Sequence, residues 1–194
     1  MKHAVIVGHP DPESFNLSLA KAYGAAASKR GHKVVLRDLY RMGFNPCLGA
    51  QELPGPGFKP GADVAAERAL LEGVDVFTFV YPLWFNAPPA ILKGYLDRVF
   101  GFGFGYGPIR GGGNTPLLTG RKMLSLTTSG APEDWLRGQA DWGAIRTLFD
   151  GHFSSVCGLQ VLDHLHFGGI VPNMTRDSAV AELDRVDEAF KRLF

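Results

Sequence analysis

Short apolar runs alternate with longer amphipathic segments along the chain, and this alternation predicts a parallel α/β fold. Ala4–Gly8 is a continuous apolar run, typical of a strand that is buried on both faces of a parallel sheet, and Val74–Tyr81 is largely apolar. Between such runs, apolar positions three and four residues apart indicate helices packed against the sheet. The predicted strands are Ala4–Gly8, Lys33–Asp38, Val74–Tyr81, Lys122–Thr128 and Gln160–Phe167. The predicted helices run from Ser14 to Arg30, Ala62 to Leu71, Pro88 to Val99, Trp142 to Val156 and Thr175 to Phe194.

Five strands alternating with helices predict an open parallel sheet with helices on both faces. With no repeat or linker, we expect one domain over residues 1–194. Two glycine- and proline-rich stretches, Pro46–Gly61 and Gly101–Gly113, are interpreted as long loops. Ligands of such sheets bind at the carboxyl ends of the strands. The candidate site therefore lies in the loops at 9–14, 82–87 and 129–135.

Composition narrows the function classes. The 20 basic and 19 acidic residues give a net charge of +1, which argues against a nucleic-acid partner. The apolar runs are too short for a membrane span, and the start of the chain leads us to expect no signal peptide. Cys47 and Cys157 lack metal-ligand spacing and favour a cytoplasmic protein with free thiols. His164 and His166 share a strand face but do not predict a metal site.

The loop after the first strand could bind an anion. It brings His9, the Ser14 hydroxyl and several backbone N–H groups to a helix N-terminus, an arrangement that suits a phosphate. Asp11 and Glu13 would repel a phosphate if they pointed inward. Alternatively, Ser14 only caps the helix.

The other two loops could hold a flat ligand. Trp84 and Phe85 stand at the end of the third strand, where exposed aromatic side chains need a cover. An aromatic ligand would cover them, as would a neighbouring loop or a second subunit. The segment Thr127–Gly130 is rich in small hydroxyl residues and could approach a planar ring, or could form an ordinary turn.

Together these segments resemble the flavodoxin-like NAD(P)H:quinone oxidoreductases. The similarity covers nearly the whole chain, and its most specific part is Pro82–Phe85 followed by Pro89–Phe100. His9 with Ser14–Asn16 is similar to the flavin-phosphate loop of this family, and Leu126–Gly130 to its third flavin loop. The residues from Cys157 to Leu162 are similar to the entry of its last strand.

The resemblance implies a flavodoxin-like three-layer sandwich with strand order 2-1-3-4-5 and two-electron, ping-pong reduction of quinones by NADH or NADPH. The implied flavin is FAD, because Phe15 and Asn16 match FAD-binding members, with FMN as the alternative. The implied partner is a second copy of the chain, with the loop of Tyr106 reaching its site; a loose surface loop is the alternative. The implied cofactor-binding residues are His9, Ser14, Phe15, Asn16, Pro82, Leu83, Trp84, Phe85, Asn86, Thr127, Thr128, Ser129 and Gly130.

The catalytic residues are not identified. Glu133 and Gln139 stand where the family has a tyrosine and a histidine that assist charge rearrangement. Tyr106, Trp135 and Gln139 are candidate pocket residues instead. Alternative functions with the same loops are a flavin-binding regulatory subunit of a membrane transporter, an FMN-dependent azo- or nitroreductase, and a one-electron carrier.

Overall fold

The computed structural model describes residues 1–110 and 113–194. Its strands are β1 (Lys2–Val7), β2 (Lys33–Asp38), β3 (Val76–Pro82), β4 (Tyr106–Arg110), β5 (Gly113–Pro116), β6 (Lys122–Thr128) and β7 (Gln160–Phe167). Its α-helices are α1 (Phe15–Lys29), α2 (Ala62–Leu70), α3 (Ala90–Val99), α4 (Glu133–Gly138), α5 (Ala140–Arg146), α6 (Ser154–Cys157) and α7 (Arg176–Leu193). A 3₁₀ turn covers Ala50–Glu52, and a π-helical segment covers Thr147–Phe153. None of the helices in the described part of the chain has the length and apolar character needed to cross a bilayer.

Five parallel strands form the central sheet in the order β2-β1-β3-β6-β7. This confirms the predicted flavodoxin-like order, because the intervening β4 and β5 form a separate antiparallel pair. Every residue of β3 is buried, as its largely apolar sequence predicts for the centre of a parallel sheet. Helices α1 and α7 pack on one face, while α3 and the π-helical segment cover the other.

The helix expected from Trp142 to Val156 is present, but its middle is the π-helical segment, between α5 and α6. One prediction of local structure is wrong. The loop expected at Gly101–Gly113 contains β4 and the start of β5, and its positions 111 and 112 lie outside the described residues. Glycine at alternate positions hides the strand pattern there, because it supplies no apolar side chain to count.

The pairing of β7 with β6 contains a bulge. Met123 pairs with Val161, but Leu124 pairs with Asp163, so Leu162 is an extra residue in β7. Because side chains alternate along a strand, one extra residue moves all later side chains of β7 to the opposite face. His164 therefore lies beside Ser125, on the face covered by the π-helical segment.

A buried ion pair holds the long loop at Pro46–Gly61 against α3. The Arg98 guanidinium donates to Glu52 at 2.9 Å, to Asp63 at 2.7 Å and to the Asn45 carbonyl at 2.6 Å. Hydrogen bonding from Arg98 lowers the pKa of Glu52 to about 2. The loop is long but fixed, because a buried guanidinium with several acceptors is costly to expose or leave unpaired.

The first prediction concerns His3, which is fully buried between Tyr23 and His32. Burial, followed by the charge of His32, lowers the pKa of His3 to about 4. An unfolded histidine titrates near pH 6.5, so below that pH the unfolded state binds the proton first. When the pH falls from 7 to 4.5, we expect the unfolding free energy of the wild type to decrease by about 2 kcal/mol more than that of His3→Gln.

Urea unfolding at a series of pH values measures this difference. His152→Gln is the control, because His152 is exposed and should keep the wild-type pH dependence. Identical slopes for wild type and His3→Gln would contradict the assignment of a neutral, buried His3.

Candidate active site

The three loops selected from the sequence meet at the carboxyl edge of the sheet. The Leu83 N–H donates to the Thr128 carbonyl at 2.8 Å, which joins the loop after β3 to the end of β6. The Asn16 side chain donates to the Thr128 hydroxyl at 2.9 Å, which adds the start of α1. The His9 and Trp84 rings lie 5.9 Å apart. The structure thus brings the three predicted segments together at one edge of the sheet.

The loop after β1 ends in a capped helix with free donors. The Ser14 hydroxyl accepts from the Leu17 N–H at 3.3 Å, and the first turn of α1 has no acidic residue. Among the hydrogen bonds of the described residues, none uses the N–H of Phe15 or Asn16. The Asp11 carboxylate accepts from its own loop, from the Glu13 N–H at 2.8 Å. The donors available to an anion are therefore backbone groups at the positive end of the helix.

Two of the predicted site residues have side chains turned towards the protein. Asn16 is buried and exchanges hydrogen bonds with Thr128. Phe15 packs edge-on against Phe167, with ring centroids 6.4 Å apart. Both side chains hold the loop in position, so that the backbone of the loop faces the edge of the sheet.

Sequence reasoning missed Arg41, which fixes the first loop from β2. Its guanidinium donates to the carbonyls of His9 and Pro10 and pairs with Asp38 at 3.1 Å. The Asp-x-x-Arg spacing directly after β2 was the available signal, since residues three apart in a turn can pair. Burial lowers the pKa of His9, which favours its neutral imidazole.

The loop after β3 turns through two residues in the left-handed region. Phe85 has φ = 50° and Asn86 has φ = 56°, and Trp84 and Ala87 on either side exchange two backbone hydrogen bonds. Asparagine tolerates this conformation, but phenylalanine is strained in it. The Phe85 side chain is fully exposed and Trp84 is 43% exposed. A strained turn thus holds two aromatic side chains at the surface beside the first loop.

The end of β6 carries hydroxyl groups with different surroundings. Thr127 and Thr128 are buried, whereas Ser129 is half-buried and Gly130 is exposed. The Thr127 hydroxyl contacts His164 Nε2 at 2.8 Å and His166 Nδ1 at 2.9 Å. Ser129 contacts His166 Nε2 at 2.9 Å. Hydrogen bonds behind the strand therefore orient the side chains of this loop.

The candidate pocket residues do not converge on one place. Tyr106 lines an apolar cavity of about 560 Å³ between α3 and the π-helical segment. Trp135 is 56% exposed on α4, and Gln139 is exposed at the junction of α4 and α5. Tyr81 also lines this cavity, and its buried hydroxyl has no hydrogen-bond partner among the described residues. The cavity is therefore a second feature, beside the three loops.

Comparisons with known proteins give the family. A model described as "Flavodoxin-like fold" matches residues 1–190. The "Uncharacterized NAD(P)H oxidoreductase" of Haemophilus influenzae is 36% identical over 88% of this chain and 85% of its own. The chain belongs to the flavodoxin-like NAD(P)H oxidoreductase family. This confirms the predicted family and enzyme class.

Two further relatives carry quinone in their names. The "NAD(P)H dehydrogenase [quinone] 1" of Rattus norvegicus is 31% identical over 82% of this chain, but the match spans only 65% of the rat protein. The structure of an "NAD(P)H:quinone oxidoreductase from Methanothermobacter marburgensis" is 27% identical, with a TM-score of 0.86 over 100% of this chain and 99% of that one. The similarity thus extends over the sheet and all three loops.

The residues present fit the flavin that the resemblance implies. A phosphate needs hydrogen-bond donors without a competing carboxylate, and the start of α1 offers backbone N–H groups there. A flat ring needs an open edge with small residues and aromatic cover, which Gly130 and Trp84 supply. The chemistry of the donor set and the shape of the edge therefore agree with a flavin nucleotide.

The strained turn in this oxidoreductase gives the second prediction. We expect Phe85→Asn to raise the unfolding free energy by about 1 kcal/mol, because asparagine accepts the left-handed conformation at lower cost. No burial is lost, since Phe85 is fully exposed. Thermal and urea unfolding of the cofactor-free protein measure the change. The control, Phe85→Leu, keeps the same strain and should leave stability unchanged; equal stabilisation by both variants would refute the explanation.

Proposed function

We propose that this chain catalyses two-electron reduction of quinones or similar acceptors by NADH or NADPH, with a bound flavin as the intermediate carrier. The observation that supports this most directly is the meeting of a free helix N-terminus, an exposed aromatic turn and a hydroxyl-rich strand end at one sheet edge. Sheets of this order bind nucleotides at that edge. Because both substrates would use the same open face in turn, we expect ping-pong kinetics.

In this proposal the flavin phosphates bind the first loop. The backbone N–H groups of Phe15 and Asn16 would donate to the phosphate, assisted by the positive end of α1. His9 would add a donor from the side. Arg41 holds the His9 and Pro10 carbonyls away from the phosphate and places a positive charge nearby. This arrangement offsets the acidic residues of the loop, of which Asp11 is bound to its own backbone.

The ring would lie against the other two loops. Backbone groups of Pro82–Phe85 and Thr127–Gly130 would hold its polar edge, with Trp84 and Asn86 at the rim. When bound, the flavin supplies hydride transfer, which no side chain can perform. The chain itself positions the reactants and offers hydrogen bonds where charge develops. FAD is the proposed flavin, from the match at Phe15 and Asn16, and FMN is the alternative.

Identification of the bound flavin tests the central claim. The protein is purified, its visible spectrum is recorded, and the released cofactor is separated by chromatography against FAD and FMN standards. We expect a yellow protein that is bleached by NADH or NADPH without oxygen and recoloured by a quinone. A colourless protein that binds neither added flavin would overturn the proposal.

The third prediction separates capping from phosphate binding. Ser14 caps α1 and Thr175 caps α7, where its hydroxyl accepts from the Ser178 N–H at 3.2 Å. Replacement of either residue by alanine should cost about 1 kcal/mol of stability, because one helix N–H loses its acceptor. Only Ser14→Ala should also weaken flavin binding, by about tenfold if one phosphate hydrogen bond is lost. Fluorescence titration measures this, and equal flavin affinity of the two variants would show that Ser14 is only a cap.

We also propose a single domain that forms a homodimer in the cytoplasm. The apolar cavity lined by Tyr106 opens beside Leu148, which is 70% exposed. A second copy of the chain would cover both, and the loop of Tyr106 would then reach the partner's site. The free cysteines Cys47 and Cys157 agree with a reducing compartment.

The fourth prediction tests this interface. Leu148→Glu should shift the protein from dimer to monomer, because a carboxylate in an apolar interface is costly to desolvate. Light scattering after size exclusion measures the mass. Val180→Glu is the control, since Val180 is also exposed but lies on α7, away from the cavity. A wild-type protein that is monomeric at micromolar concentration would disprove the dimer.

A further inference from the structure

A continuous row of hydrogen-bonded side chains runs behind the loop after β6. It joins Asp150, His164, Thr127, His166 and Ser129, and we call it the polar row. The successive distances are 2.7, 2.8, 2.9 and 2.9 Å. All of its members except Ser129 are buried. The row therefore connects a buried carboxylate to a half-buried hydroxyl in the proposed flavin loop.

Two irregular features of the fold assemble the polar row. The extra residue Leu162 in β7 turns His164 and His166 to the face that carries Thr127. The π-helical segment carries Asp150. Such segments are rare in proteins, but those that occur are often found at functional sites. The Trp142 ring covers both imidazoles, with centroids 4.9 and 5.4 Å away. Irregular backbone and an aromatic cover thus combine to place one chain of polar groups in the interior.

The positions of the protons can be assigned from the outer end of the row, because each hydroxyl has only one proton to donate. The Ser129 hydroxyl donates to the Ala131 carbonyl at 2.9 Å, so it must accept from His166 Nε2–H. A neutral His166 then accepts at Nδ1, and the proton there comes from the Thr127 hydroxyl. Since Thr127 has only one proton, it must accept from His164 Nε2–H.

The inner end of the row consequently holds one proton more than a neutral histidine beside an ionised carboxylate would have. His164 Nδ1 lies 2.7 Å from Asp150 Oδ2, and a carboxylate only accepts. The Ser125 hydroxyl donates to Asp150 at 3.0 Å and Arg146 lies 3.4 Å from it, which favours the ionised carboxylate. His164 therefore carries protons on both nitrogens, as an imidazolium paired with Asp150 in the interior.

We propose that the polar row delivers a proton to the loop after β6, from a store at the Asp150–His164 pair. This rests on the proposed function, whose net reaction is NAD(P)H + quinone + H⁺ → NAD(P)⁺ + hydroquinone. Hydride transfer accounts for both electrons and one hydrogen, so one proton must come from elsewhere. Glu133 and Gln139 stand at the positions of the tyrosine and histidine that assist charge rearrangement in the family. Neither belongs to the polar row.

The proton movement balances along the row. The Ser129 proton passes to the hydroquinone oxygen that hydride transfer leaves without a proton, and the His166 Nε2 proton replaces it on Ser129. The Thr127 proton moves to His166 Nδ1, and the His164 Nε2 proton moves to Thr127. The row then contains one proton fewer, with neutral His164 still donating to the Asp150 carboxylate. After the product has left, solvent protonates the half-buried Ser129, and the same transfers run in reverse until His164 Nε2 carries a proton again.

The surrounding charges keep the two histidines different. Burial lowers the pKa of His166 to about 4, so it stays neutral at pH 7 and can pass a proton in either direction. His164 alone contacts a carboxylate within the row. The charged groups around the row are Asp150 of the π-helical segment, Arg146 of α5, Glu133 and Arg137 of α4, Arg185 of α7 and, on the opposite face of β7, Asp163 paired with Arg192.

The first test reads the protonation directly. Nitrogen-15 chemical shifts of histidine-labelled protein, with and without flavin, distinguish protonated from bare ring nitrogens. At pH 7 we expect His164 with both nitrogens protonated and His166 with a proton on Nε2 only. A neutral His164 would overturn the proposal.

The second test interrupts the row with a nearly isosteric change. We expect Thr127→Val to slow the half-reaction with quinone at least tenfold more than the half-reaction with NAD(P)H, with a larger solvent isotope effect. Thr78→Val is the matched control, because Thr78 on β3 is equally buried and its hydroxyl has no partner among the described residues. Thr127→Ser restores the hydroxyl and should restore the rate.

The outcomes separate this proposal from the proposed function. Equal slowing of both half-reactions by Thr127→Val, or no recovery with Thr127→Ser, would show that Thr127 only supports the loop. A wild-type protein that reduces no quinone would instead refute the function and, with it, the delivery of a proton. The nitrogen-15 spectra would still decide the protonation of His164 in that case.

Discussion

Parallel pairing of β3 with β1 and β6 is the constraint on which the rest of the structure depends. Every residue of β3 is buried, so this part of the sheet can present polar groups to a ligand only where the strands end. The three loops meet because their strands are neighbours, and the Leu83–Thr128 and Asn16–Thr128 hydrogen bonds close the gaps between them. Strand order alone thus determines which segments can share a site.

Much of this arrangement can be predicted from the sequence. The pattern of apolar and polar residues predicts the five central strands, and it predicts Ser14 as a cap of α1. Local signals of this kind depend on neighbouring residues, which the sequence displays directly. The polar row could not be predicted, because it requires an extra residue in β7 and a π-helical segment to bring Asp150 beside His164. Neither feature has a local pattern, since both depend on packing between distant segments.

The buried histidines of this chain have different roles because their surroundings differ. His3 and His166 are buried without a carboxylate contact and have lowered pKa values. His164 instead contacts the Asp150 carboxylate, and the proposed proton delivery requires it to be charged. Arg98 follows the same rule with opposite sign, since the buried carboxylate of Glu52 accompanies it into the interior. Each buried charge is tolerated because a partner of opposite charge is within hydrogen-bond distance.

The π-helical segment also bears on how this part of the chain could vary among descendants of a common ancestor. A single deletion between Thr147 and Phe153 would allow an ordinary α-helix to form and would rotate the preceding residues by about 100° relative to those that follow. Asp150 would then leave His164, although most of the apolar contacts on that helix could be rebuilt. The length of this segment should therefore be under stricter selection than the identity of its residues. A homologue with a shorter segment would need another partner to stabilise the histidine at the position of His164.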